Sequence, residues 1–145
     1  MSSITPWIMR YGHVLAGAIW VGGYALLAFV IIPMMRRGAN ETLKSISIAT
    51  VRVLTYTGMA TIFFGLVLIV YTRGFDALFV SEWGALVVGS FIIAIALLGI
   101  GDGALRPALR EIDATGNGQR AQRFAIIGLA LTVLAIGLMT RTLYV

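Results

Sequence analysis

Apolar residues fill four long stretches of this chain, and polar residues are largely confined to the gaps between them. The stretches cover about 7–35, 46–71, 83–106 and 122–143. Within them apolar side chains point in every direction around a helix, so no single buried stripe is kept up. Helices of that kind need an apolar solvent. A hydrocarbon layer of ~30 Å takes ~20 helical residues to cross, and each stretch is about that long, the first two with length to spare for tilt. Alternating ten-residue segments are missing, which excludes a transmembrane β-barrel. The expected architecture is all-α: a four-helix transmembrane bundle, forming a single domain over 1–145.

The gaps carry local breakers. Pro33, followed by Met-Met-Arg-Arg-Gly, is expected to end the first span, and Gly74 the second. The run from Asp113 to Gly118 reads as a turn cluster between the third and fourth spans. Leu105 to Ile112 is expected to continue the third helix beyond the membrane, with Pro107 on its first exposed turn. The first stretch is too long for a signal-peptide core, and Arg10 lies inside it rather than in a basic leader. It reads as a retained helix. No internal repeat is apparent.

Composition sharpens this picture. Of 145 residues, 59% are hydrophobic, 12% are charged and none is cysteine; a soluble domain is about 25% charged. Disordered, nucleic-acid-binding and disulfide-framed classes are excluded. So are thiolate metal sites, iron–sulfur clusters and cysteine catalysis. The net charge of +5 would suggest an anionic partner in a soluble protein, but here the basic residues read as topology signals. Arg36, Arg37, Lys44, Arg52, Arg106, Arg110, Arg120 and Arg123 fall on one side, and only Arg10, Arg73 and Arg141 on the other. The positive-inside rule then puts both termini and the 72–82 connection outside. Trp7, Tyr71, Trp83 and Tyr144 would form an outer aromatic belt.

Few residues remain for chemistry. His13 is the one histidine, about six residues or ~9 Å below the outer boundary at 1.5 Å per residue. An ionisable group inside a membrane helix is a functional candidate. His13, Gly17, Trp20 and Tyr24 share one face. Gly17, one turn below, leaves room for a flat ligand on the imidazole. Arg10, nearer the surface, can pair with an anionic group at the ligand's edge. Levelling the other spans against His13 brings in Gly65, Gly89, Gly137 and Met139. Small residues from all four helices at one depth can make room for a planar cofactor, and a methionine thioether is a possible second axial ligand to haem iron. Asp102 is expected to pair with Arg52 across helices or with Arg106 four residues on. Gly99 and Gly103, like Ala18 and Gly22, have the spacing of helix-packing faces. Met9, Met34, Met35 and Met59 are scattered and make no methionine ladder for copper. No Ser-His-Asp set, phosphate loop or carboxylate pair is present.

The segment Tyr11-Gly-His13-Val-Leu-Ala-Gly-Ala-Ile-Trp20-Val-Gly22-Gly23 resembles the first-helix signature of the copper-resistance D (CopD) superfamily and the related HemJ proteins: a His, a Trp seven on, then glycines. Tyr24 and Pro33 lie in comparable places. Arg52, Gly58-Met59 and Gly65-Leu66 are similar to the family's second helix. The resemblance covers spans one and two, about half the chain. It implies a multi-pass protein of a bacterial or archaeal inner membrane, with His13 as ligand of haem b. HemJ-like proteins oxidise protoporphyrinogen with a helix-three lysine as well; span three here has no lysine, which speaks against that enzyme activity.

The leading expectation is a membrane protein binding haem b through His13, for electron transfer or as the cofactor-bearing subunit of a larger complex. Arg10 would hold a propionate, Gly17 and Gly65 would flank the ring, and Trp20 would pack its edge. The second axial ligand could be Met139, another subunit, or His13 of a second copy in a homodimer. The alternatives are a cofactor-free structural accessory subunit and a CopD-like copper-handling protein.

Overall fold

The computed structural model describes residues 4–145, apart from the side chain of Asp113; residues 1–3 of the expected domain lie outside the described residues. Four helices are long and apolar enough to cross a membrane: Ile4–Arg37, Glu41–Thr72, Glu82–Ile112 and Gln119–Arg141. They comprise α1 (Ile4–Leu26), α2 (Ile32–Arg37), α3 (Glu41–Thr72), α4 (Glu82–Gly99), α5 (Arg106–Thr115) and α6 (Gln119–Arg141). Short π-helical turns join α1 to α2 and α4 to α5, and among the described residues there is no strand. The all-α, four-helix membrane architecture is therefore what the chain adopts.

Helix ends depart from expectation where capping overrides polarity. The second span starts at Glu41 rather than near 46, because the Asn40 side chain accepts the Leu43 N–H at 2.8 Å. That bond satisfies one of the orphan donors of a helix N-terminus, so polar residues can extend the helix past the apolar run. Ser81 caps α4 in the same way, accepting from the Gly84 N–H at 3.0 Å. Helix α5 runs on to Thr115 and stops at Gly116, whose φ of 70° is left-handed and suits a glycine C-cap. The expected turn cluster thus shrinks, with Asp113 to Thr115 still helical. Pro33 does not end the first span, which continues to Arg37.

Both π turns have a proline behind them. The Ile32 N–H bonds Leu27 O and the Arg106 N–H bonds Gly101 O, each five residues back, and Pro33 and Pro107 follow immediately. Proline lacks an N–H and crowds the carbonyl four residues earlier. A helix widened by one residue relieves that crowding and leaves carbonyl oxygens unclaimed. Ala28 O has lost Ile32 as donor and has only a proline beyond it; Gln122 of α6 donates its Nε2–H there at 2.6 Å. Just before the second π turn, the Tyr24 hydroxyl donates to Leu97 O at 2.8 Å. These bonds tie the first span to the fourth and the third. Replacing Tyr24 with Phe is expected to cost about 1 kcal/mol, a typical net hydrogen bond, since Leu97 O keeps the Ile100 N–H. A lower melting temperature in detergent at unchanged helical content is the check; an unchanged melting temperature refutes it.

The spans pack as a ring. The first lies between the second and fourth, and the third lies between the same two, while the backbones of α1 and α4, and those of α3 and α6, stay more than 8 Å apart; only side chains such as Tyr24 cross the ring from α1 to α4. Glycines set the register between spans one and two. A Cβ on Gly12 would meet the Phe64 ring at 2.8 Å, one on Gly65 the His13 ring at 3.2 Å, one on Gly58 the Trp20 ring at 2.8 Å, and one on Gly23 Leu54 at 2.6 Å. The pairs descend one helix while climbing the other, as antiparallel helices must. Close backbone approach of this kind is how helices associate in lipid, where no hydrophobic force acts between them.

Packing is uneven along the bundle. Tyr24, Leu27, Ile32, Val51, Leu54, Leu97, Leu105 and Ile112 are almost wholly buried and fill the half toward the basic connections. Helix α5 belongs to that half, burying Ala108, Leu109 and Ile112. The half toward the 73–81 connection is hollow. Small residues recur among larger apolar ones in its lining, Gly17, Gly65, Ser90, Ala94, Thr132 and Ala135 among them. Many large apolar side chains, such as Leu15, Phe29, Phe63, Ile92 and Val133, face outward, as a lipid solvent allows.

Candidate functional site

The hollow half holds an open-sided cavity of about 710 Å³ lined by all four spans. Its volume falls within the ~300–1,000 Å³ usual for small-molecule sites. Arg10, His13, Gly17, Trp20, Gly65 and Met139 all line it. Trp20, Ala94 and Leu97 make the floor where the cavity meets the packed core. Arg10, Thr72, Arg73, Trp83 and Leu143 make the rim.

His13 is half-buried in the wall between spans one and two. Its Nδ1 lies 2.9 Å from the main-chain oxygen of Thr61. A carbonyl only accepts, so Nδ1 carries the hydrogen and the neutral ring keeps its lone pair on Nε2. A histidine tied to a carbonyl through one nitrogen, with the other left basic, is the arrangement found behind metal-bound imidazoles. Gly65 makes the bond possible. Its Cβ would sit 3.2 Å from His13 Cε1 and 3.4 Å from Nδ1, so a methyl there would force the ring to give by a few tenths of an ångström, and a larger side chain by more.

The other expected residues fall out differently. Gly17 has nothing within 4 Å of an added Cβ, consistent with open space beside the imidazole. Trp20 is 5% exposed and fixed against Gly58. Met139 is half-buried on α6. Arg10 is exposed and has no ion-pair partner among the described residues. Gly89 and Gly137 are not cavity residues: an added Cβ on Gly89 would meet only Leu138 at 3.7 Å, and Gly137 faces open space. Gly22, Gly99 and Gly103 also have nothing within 4 Å, so their spacing serves no packing within the chain. Asp102 pairs with Arg106 at 2.7 Å and accepts from Thr55 Oγ1 at 3.0 Å. That is the i,i+4 option; Arg52 is not its partner. Asp102 does not line the cavity.

Two participants escaped the sequence reading. Thr61 acts through its backbone, and only its place four residues before Gly65 could have pointed to it. Arg73 lines the cavity rim, its guanidinium 5.6 Å from the Trp83 ring centre and donating to Val145 O. Arg141 pairs with Glu82 at 3.1 Å beside it. No acidic side chain lines the cavity among the described residues. Nor, among them, do three His, Cys, Asp or Glu residues gather as a metal cluster. Comparison with family models, curated proteins and solved structures gives no significant match.

Proposed function

We propose that this integral membrane protein binds haem b in the four-helix cavity, with His13 Nε2 as an axial ligand. It would serve in electron transfer or as the cofactor-bearing subunit of a larger membrane complex. The observation that carries this reading is the His13–Thr61 hydrogen bond, made at the wall of a largely apolar cavity with open space beyond Gly17. The residues fit the group. One oriented imidazole suffices for an axial bond, and the described residues hold no group of three His, Cys, Asp or Glu for a bare metal ion. When bound, haem supplies one-electron chemistry whose potential depends on axial ligand and burial. The chain's own part is to hold the imidazole neutral and oriented, exclude water with Trp20 and the apolar walls, and pair Arg10 with a carboxylate. Met139, a neighbouring subunit or a second copy would provide any sixth ligand. In this proposal the cavity opens toward the outer face of a bacterial or archaeal inner membrane, the orientation given by the basic connections.

The test is an absorption spectrum of the purified protein. A Soret band is expected, and His13→Ala should lower haem content at least tenfold. A colourless wild-type protein that takes up no haem, or a His13→Ala variant with full haem, refutes the reading. The cofactor-free accessory-subunit alternative draws on the outward-facing Gly22, Gly99 and Gly103. It predicts colourless protein that is stable only within a larger assembly.

A further inference from the structure

We infer that the cavity selects a ligand with two anionic groups at one end, held at the rim by Arg10 and Arg73 together. The inference rests on the haem-binding reading and extends it to a residue that reading does not need. Both arginines line the same cavity and both are exposed at its rim. Arg10 stands three residues above His13 on span one, and Arg73 eight residues above Gly65 on the neighbouring span. At 1.5 Å per residue these are about 4.5 and 12 Å of rise from the imidazole toward the rim. The Arg73 backbone thus stands about 7.5 Å higher than that of Arg10, and because both side chains line the one cavity, a ligand seated at His13 with two anionic groups can meet them at two heights.

Charge supports the same direction. The cavity is lined by two arginines and no carboxylate among the described residues. The nearby Arg141 is already paired with Glu82, and its charge is spoken for. Arg10 has no ion-pair partner among the described residues. Arg73 donates one N–H to Val145 O and lies over Trp83. Those contacts orient the guanidinium and engage one of its donors, so a ligand carboxylate would use the N–H groups that remain. An arginine so placed loses little freedom when it takes a carboxylate. Both guanidiniums are exposed at the rim, so their attraction for an anion acts through screened charge and should weaken as ionic strength rises.

The test titrates the full-length protein, freed of bound haem in detergent, with ferric haem b and separately with its dimethyl ester, following the Soret band. The wild type is expected to bind the diacid at least tenfold more tightly than the ester. Arg10→Gln and Arg73→Gln should each narrow that preference and the double variant should abolish it, while Arg10→Lys and Arg73→Lys retain part. Ester binding is the internal control for folding, since it needs neither arginine. Equal affinity of the wild type for acid and ester overturns this inference and leaves the His13 reading intact. So does a preference that survives in Arg73→Gln undiminished. Failure of the wild type to bind either compound overturns both.

Discussion

Replacing Gly128 with alanine is expected to be among the most damaging single-methyl changes in this chain. The new Cβ would stand 2.1 Å from Tyr24 Cε1 and 2.4 Å from Cδ1. The Tyr24 ring has no room to move: it is fully buried, and its hydroxyl is tied to Leu97 O at 2.8 Å. Overpacking a filled core typically costs ~1–3 kcal/mol, and losing the tyrosine bond adds ~1 kcal/mol. The opposing gain in helix propensity from glycine to alanine is ~1 kcal/mol, so destabilisation wins. Gly137→Ala is the matched control, on the same helix with nothing within 4 Å of the new methyl. A clear drop in melting temperature for Gly128→Ala and little change for Gly137→Ala are the expected results. Equal behaviour of the two variants would refute the tight Tyr24–Gly128 contact. Shortening the clashing ring, as Tyr24→Leu in the Gly128→Ala background, should recover part of the loss, because the two sites are in direct contact and are not additive.

The contrast between Gly128 and Gly137 also explains what the sequence could and could not show. Span number and class were legible because lipid demands long apolar helices, and that demand is written into composition. Which glycine faces a neighbour was not legible. Gly89 and Gly137 have the right depth but the wrong azimuth, while Gly12, Gly23, Gly58 and Gly128 receive large side chains from other helices. Depth follows from counting along one helix. Azimuth depends on the partner's register, which a single chain of all-round apolar helices leaves undetermined. The π turns were missed for a related reason. Pro33 read as a breaker, while Pro107 was placed in a continuing helix with no sign of a π turn before it; here Gln122 serves the carbonyl stranded before Pro33, and the helix passes through. Asn40 extended the second span beyond its apolar part by capping alone.

The site divides in the same way. Arg10, His13, Gly17, Trp20, Gly65 and Met139 were singled out from their residue types and depths, and they line one cavity. The role of Gly65 was not legible. It was expected to flank a ligand ring, and the structure shows in addition that it lies against the imidazole itself. Arg73 was assigned to topology because a basic residue at a helix end is common there. Its place at the rim depends on how the ends of spans two and three meet, through Trp83.

Gly65 is therefore the lever on His13. The acceptor of the Nδ1 hydrogen is the main-chain oxygen of Thr61, so no side-chain deletion at Thr61 removes it. Alanine at Gly65 would place a methyl 3.2 Å from Cε1, and valine adds two more carbons in the same space. Alanine would shift the ring slightly, and the added bulk of valine is expected to swing it off the carbonyl. Because His13 is the one histidine, protein labelled with ¹⁵N-histidine gives the two ring-nitrogen signals of a single imidazole. In the cofactor-free wild type these should report a neutral ring protonated at Nδ1. In Gly65→Val they should shift toward protonation at Nε2, the form free histidine prefers. The lone pair then points away from its cavity role, and haem content should fall ~10–100-fold, as when the outer partner of a metal-bound histidine is lost. Helical content should stay as in the wild type, since Gly65 and His13 lie at the cavity wall and the packed core sits in the other half of the bundle. Nδ1 protonation that persists in Gly65→Val would show that the ring is held by something other than Thr61. Full haem retention after a tautomer change would separate the hydrogen bond from ligand binding and leave His13 without the role proposed for it.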